Sequence, residues 1–158
     1  MKVAEFIALI NQHQAILHKI CTLYRDSKED REDLFQEIVF QLWKSIEKFE
    51  GRSGFSTWMY RIALSTAMAV FRKKKAPIFY TDELPEMQEK VEELSDQQEQ
   101  FLAALKKLND AEKAFITLYL EDLSYKEIAA IIGITENNVG VKMNRIKTKL
   151  QQILNTTL

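Results

Sequence analysis

The stretch Ser124-Tyr125-Lys126-Glu127-Ile128-Ala129-Ala130-Ile131-Ile132-Gly133-Ile134-Thr135-Glu136-Asn137-Asn138-Val139 leaves the backbone few options. Ser124 can cap a helix, and Glu127, three residues on, completes the pattern of a capping box. Ile128, Ala129 and Ile132 then face inward, with Ala129 small where a second helix would cross. Gly133 permits the left-handed residue that stops a helix. Ile134 plugs the turn and Thr135 can cap a second helix. That helix presents Glu136, Asn137, Asn138, Lys142 and Arg145, and keeps Val139, Val141 and Ile146 as its packed side. The segment therefore predicts a helix-turn-helix.

The rest of the chain carries the same period. Phe6, Leu9, Ile10, Ile16, Leu17, Ile20 and Leu23 recur at helical spacing over residues 5–24. Ser27 to Glu32 is polar and holds a turn, and Asp30 is the expected N-cap of the next helix, followed by Asp33. Leu34, Phe35, Ile38, Val39, Leu42, Trp43 and Ile46 form its stripe. Gly51, Ser53 and Gly54 interrupt the pattern. Ser56 or Thr57 then starts a helix with Trp58, Ile62, Ala63, Ala67 and Val70 inward, fading after Lys75 because Ala76 precedes Pro77. Further on, Phe101, Leu102, Leu105 and Leu108 make one stripe, and Ala111, Ala114, Phe115, Leu118 and Tyr119 another. No segment alternates cleanly, so no sheet is expected. The predicted fold class is all-α: two small helical domains, 1–76 and 99–158, joined by a short acidic linker, 77–98. The C-terminal domain contains the helix-turn-helix.

A formal net charge of -1 over 158 residues conceals sorted charge. Residues 26–50 hold eight acids and four bases, and the span from Asp82 to Glu99 holds eight acids and one lysine. Residues 61–75 carry Arg61, Arg72, Lys73, Lys74 and Lys75 with no acid. Residues 136–150 carry Lys142, Arg145, Lys147 and Lys149 against Glu136. Two basic patches, one per domain, suit a phosphate backbone; basic residues at helix ends also favour the helix dipole. A helix fits the major groove, where Asn137 and Asn138 can meet adenine, and Lys142 and Arg145 can reach phosphate or guanine. An ordinary helical hairpin would use the same small residues and glycine. Phe49, Phe55, Trp58, Tyr60 and Phe71 lie near the first basic run and can stack on exposed bases. Trp58 and Tyr60, two apart, cannot share a helix face, so at least one belongs to the core.

Catalytic and metal chemistry find little support. His13 and His18 are five apart, and with the single cysteine, Cys21, they make no convincing ligand set. There is no glycine-rich phosphate loop and no nucleophile elbow. No cofactor, metal or small-molecule substrate is expected. One buried cysteine, no charged leader with an apolar core, and no apolar run near 18 residues set the expectation of a soluble, cytoplasmic protein.

Two blocks, DREDLFQEIVFQLWKSIEKFEGRSGFSTWMYRIALSTAMAVFRKKK over residues 30–75 and LKKLNDAEKAFITLYLEDLSYKEIAAIIGITENNVGVKMNRIKTKL over residues 105–150, resemble regions 2 and 4 of the extracytoplasmic-function sigma factors, the smallest members of the bacterial sigma-70 family. The resemblance implies a non-enzymatic initiation factor. Its partners would be core RNA polymerase, promoter DNA and an inhibitory anti-sigma factor, often membrane-anchored. It implies a polymerase contact at Asp33, Leu34, Gln36, Glu37, Phe40 and Trp43. It implies opening and holding of the minus-10 element by Phe55, Thr57, Trp58, Tyr60, Arg61 and Ile62, then Arg72, Lys73 and Lys74. Reading of the minus-35 element would fall to Glu136, Asn137, Asn138, Lys142, Arg145 and Lys147. The chain departs from the family pattern at Leu64, Ser65 and Ala69, and at Asn137, Asn138, Gly140 and Lys142, which bears on which promoter is read. A helix-turn-helix regulator acting without polymerase, or a helical adaptor that binds no DNA, are the rival readings.

Overall fold

The computed structural model describes residues 2–49, 54–69 and 93–156, and they are helical throughout apart from short connections. The chain divides into two compact units, Met1–Lys90 and Val91–Leu158.

The N-terminal unit is built from α1 (Val3–Gln12), α2 (Gln14–Tyr24), α3 (Lys28–Ser45), a single 3-10 turn at Ile46–Lys48, and α4 (Phe55–Met68). The single stripe expected over residues 5–24 is in fact split. At His13 the ring Nδ1–H donates to the carbonyl of Leu9 at 2.8 Å, satisfying one of the carbonyls a helix end leaves open. Helix α3 begins earlier than expected. Ser27, rather than Asp30, is the N-cap, and its hydroxyl accepts from the Asp30 N–H at 3.1 Å. Asp30 and Glu29 instead occupy the first turn, where carboxylates suit the positive helix end.

Helix α4 starts at Phe55 behind Gly54, not at Ser56 or Thr57, and ends at Met68 with Ala69 as its C-cap, short of Lys75. One guanidinium nitrogen of Arg25 donates to the carbonyls of Tyr24 and of Ala67, so a cation closes the carbonyl end of α4. Helix α3 packs against both α2 and α4, and α2 against α4. Their shared interior is Phe6, Ile10, Leu17, Ile20, Cys21, Phe35, Ile38, Val39, Leu42, Met59, Ala63 and Ala67. Met59 and Leu64 are inward on α4, whereas Trp58 and Ile62, expected inside, are half-buried. Phe71, Arg72, Lys73, Lys74, Lys75 and the linker residues up to 92 lie outside the described residues.

The C-terminal unit comprises α5 (Asp96–Lys106), α6 (Asp110–Leu120), α7 (Tyr125–Ile132) and α8 (Glu136–Thr156). Helix α5 begins three residues before the expected domain start, because Ser95 and Gln98 form a reciprocal capping box. Asn109 and Glu112 form another at α6. Glu112 does more: the Oε1 that accepts from the Asn109 N–H also accepts from Lys149 Nζ at 2.7 Å, tying the start of α6 to the middle of α8. Helix α6 ends at Leu120, and in the turn that follows Asp122 holds φ of +61°, a left-handed conformation usually left to glycine.

Candidate nucleic-acid interface

The helix-turn-helix forms as its residues dictate. Ser124 caps α7, accepting from the Glu127 N–H at 3.1 Å. The expected capping box is only half present: the Glu127 carboxylate accepts from the Ser124 hydroxyl instead of reaching back to the backbone. Gly133 sits at φ +87°. The N–H groups of Gly133 and Ile134 both donate to the carbonyl of Ala129, at 2.8 and 3.2 Å, which closes the helix end. Thr135 then caps α8 by accepting from the Asn138 N–H at 3.2 Å. Ile128, Ala129 and Ile131 are the buried positions of α7; Ile132, expected there, is only half-buried.

On α8 the buried positions are Val139, Met143, Ile146 and Leu150, spaced by four, three and four. Val141 does not belong to that stripe: it is 43% exposed, contrary to the expected packed side. The reason is spacing, since two residues from Val139 is more than half a turn away. All six residues expected to contact duplex DNA here, Glu136, Asn137, Asn138, Lys142, Arg145 and Lys147, are exposed. They do not form one patch. Asn137 and Arg145 lie on the outward face with Val141, Asn144 and Thr148. Lys142 flanks that face on one side, and Glu136 and Lys147 flank it on the other. The ammonium of Lys147 lies 4.3 Å from the ring centre of Tyr119. A hydrogen bond with Tyr119, helped by Tyr125, holds its pKa above the usual lysine value. Sequence reasoning placed Val141 on the packed side and did not place Asn144 at all, yet both are exposed. The inward spacing from Val139 to Leu150 is the signal that places Val141 and Asn144 outside.

In the N-terminal unit, Phe49, Phe55 and Trp58 gather into one aromatic cluster. The ring centres of Phe49 and Trp58 are 5.2 Å apart, and those of Phe55 and Trp58 5.5 Å apart. His13 extends it, with its ring 5.2 Å from Phe55 and its Nε2 3.2 Å from the Ser56 hydroxyl. All four rings are half-buried. Thr57 is half-buried and Arg61 exposed on the same helix. Tyr60 is a correction: at 8% exposure it belongs to the core, on the opposite side of α4 from the cluster.

The acidic side of α3 is also sorted by helical spacing. Asp33 and Gln36 are exposed, and Glu37, Phe40 and Trp43 half-buried, along one stripe at intervals of three and four. Trp43 is braced by Phe6, ring centres 5.0 Å apart. Leu34, at 3% exposure, faces the core and cannot present its side chain to a partner. Among the described residues no group of His, Cys, Asp or Glu could hold a metal ion. Cys21 is buried, which pushes its thiol up to about 12 despite nearby Arg25 and Arg31.

These features define an all-helical, two-unit protein with a helix-turn-helix of the DNA-reading kind. Comparison with known proteins narrows that class. The family pattern described as Sigma-70 region 2 matches residues 9–76, and that described as Sigma-70, region 4 matches residues 98–150. The chain is 30% identical to the ECF RNA polymerase sigma-E factor of Haemophilus influenzae, over 94% of this chain and 89% of that one. It is 28% identical to the RNA polymerase sigma factor SigV of Bacillus subtilis, over 90% and 86%. The fold matches the sigma factor RpoE of Bartonella quintana, solved in complex with the anti-sigma factor NepR. That match has a TM-score of 0.71 at 20% identity and covers 96% of this chain and 97% of that one. It also matches CnrH in complex with the cytosolic domain of CnrY, with a TM-score of 0.70 at 19% identity over 98% and 90%. The chain belongs to the extracytoplasmic-function group of the sigma-70 family of RNA polymerase sigma factors. It is an alternative sigma factor, a DNA-binding protein of transcription initiation.

Proposed function

We propose that the division of labour within this sigma factor follows its three surfaces. The α3 stripe of Asp33, Gln36, Glu37, Phe40 and Trp43 docks on core RNA polymerase. The aromatic cluster, with Thr57, Arg61 and the basic run Arg72, Lys73 and Lys74, holds the opened minus-10 strand. Supported rings offer faces to unstacked bases, and the bases' phosphates meet nearby cations. Helix α8 lies in the major groove at the minus-35 element, where Asn137 and Arg145 face base edges while Lys142 and Lys147, on its flanks, meet phosphates. The acidic residues that precede α5 act as a linker between the two domains, shorter than the expected 77–98 because Asp96 to Gln98 belong to α5. Joining two weak DNA-binding modules raises the effective concentration of the second once the first is bound.

The observation that carries this reading is the exposed outward face of α8, where Asn137, Asn144 and Arg145 surround Val141 and lysines flank them, behind a turn closed by Gly133. The protein performs no catalysis of its own, since capture of flipped and stacked bases stands in for chemistry. It works in the cytoplasm; no helix among the described residues is long and apolar enough to cross a membrane. An anti-sigma factor holds it in check, in keeping with the structural relative solved in complex with the anti-sigma factor NepR.

The test is co-elution of the purified chain with core polymerase, followed by footprinting on a promoter library. The expected result is a stable holoenzyme that melts DNA near minus 10. A folded chain that ignores core polymerase at moderate salt would sink the reading. Within that assay Lys142→Ala should weaken binding at all promoters alike and lower the salt slope by about one, whereas Arg145→Ala should cost about 1–3 kcal/mol and relax one base position.

A further inference from the structure

A lone exposed valine is ordinary on a protein surface. Val141 differs in what surrounds it. One turn away on α8 lie Asn137, Asn144 and Arg145, all exposed. Beside it, Gly140 has no side chain, and the position its Cβ would take is 3.7 Å from the ring of Tyr125. Tyr125, Glu136, Asn137, Gly140, Val141 and Asn144 line one shallow depression. Its lining joins the Val141 methyls and the Tyr125 ring to two carboxamides and the Glu136 carboxylate. Val141 adds nothing to the core, and as a β-branched residue it is a poorer helix former than Ala or Lys.

Among the base edges in the major groove, the thymine C5-methyl is the apolar group, and adenine presents the donor and acceptor pair that a carboxamide matches. We infer that Val141 receives a thymine methyl in the minus-35 element, and that Asn137 or Asn144 reads an adenine one step away. This rests on the reading of α8 as the minus-35 helix and makes Val141 a specificity-determining residue of that helix.

The experiment uses the full chain bound to core polymerase. A promoter is first selected from a library with unmodified DNA. Each thymine of its upstream duplex element is then replaced singly by deoxyuridine, which removes only the methyl, and open-complex formation is measured. With the wild-type chain, loss at one thymine should be about fourfold, the worth of one buried methyl. V141A should be insensitive at that position and unchanged at the others, while V141I should keep the sensitivity. Because Val141 is at the surface, V141A should fold as the wild type does, which circular dichroism checks. An element without a methyl-sensitive thymine, or the same deoxyuridine profile for wild type and V141A, overturns the inference and leaves the minus-35 role intact. Failure of the holoenzyme to initiate from any unmodified promoter is a different result, since it overturns that role and this inference with it.

Discussion

Of the twelve largest fully buried side chains among the described residues, nine lie in α1 to α4, and only Leu118, Ile128 and Met143 lie in the C-terminal unit. Helix starts show the reverse. In the N-terminal unit only α3 has a side-chain cap, from Ser27; α1, α2 and α4 have none. In the C-terminal unit Ser95, Asn109, Ser124 and Thr135 cap all four helices. One unit is thus shaped by non-local packing of long side chains, the other by local signals that fix where each short helix begins. A recognition helix has to hold its first turn still against DNA, and a cap does that without a large core.

The largest effect that can break this comparison is a cavity in the N-terminal unit. Phe35→Ala should remove about 3–5 kcal/mol. Both tryptophans, Trp43 and Trp58, are in that unit. The fluorescence transition in urea should therefore shift or vanish, while NMR signals of α5 to α8 stay in place. Equal loss in both halves would show that the two units unfold together.

Next in size is loss of a cap. Asn109→Ala should cost the C-terminal unit about 1–2 kcal/mol, read by circular dichroism, with the tryptophan transition unmoved. Gly140→Ala has the opposite sign. It places a methyl 3.7 Å from Tyr125, an ordinary contact, in the interior of α8. It should stabilise the unit by about 1 kcal/mol. A destabilised variant would mean that the local account of α8 is incomplete.

The smallest effect concerns Glu112. Burial opposes its ionisation, but hydrogen bonds from Lys149 and the Asn109 backbone, with the Lys149 charge, outweigh it and lower its pKa. A carboxylate lowered in the folded state gives stability that is complete above its unfolded pKa and is lost as pH falls through the folded value. The stability difference between wild type and Glu112→Gln should therefore shrink on acidification below the usual carboxylate range. The change should be small because the pair is partly exposed. A difference that does not vary with pH would remove Lys149 from the capping network.

The same contrast explains what could be read in advance. Gly133, Thr135 and Ser124 act within a few residues of themselves, so the turn and both its helices were legible. The break at His13 was not, because it depends on a ring nitrogen taking a carbonyl four residues back, with no Gly or Pro to announce it. Ser27 displaced Asp30 as a cap because the helix started three residues earlier than the apolar stripe suggested. Tyr60 and Leu34 matched the family's motif by position, yet packing turned their side chains inward. Val141 was assigned to the interior by residue type when its spacing from Val139 already placed it outside.

The buried thiol of Cys21 has a practical consequence. Burial pushes the thiol up to about 12, which suppresses the reactive thiolate, and its sulfur is shut away from solvent. The wild-type protein is therefore silent toward maleimides and serves as its own background for site-directed labelling. A cysteine introduced at Gln151, exposed on α8 and outside the proposed DNA contacts, would be the sole reactive attachment point for a dye, ready to report on promoter engagement in single-molecule fluorescence without first rebuilding the core.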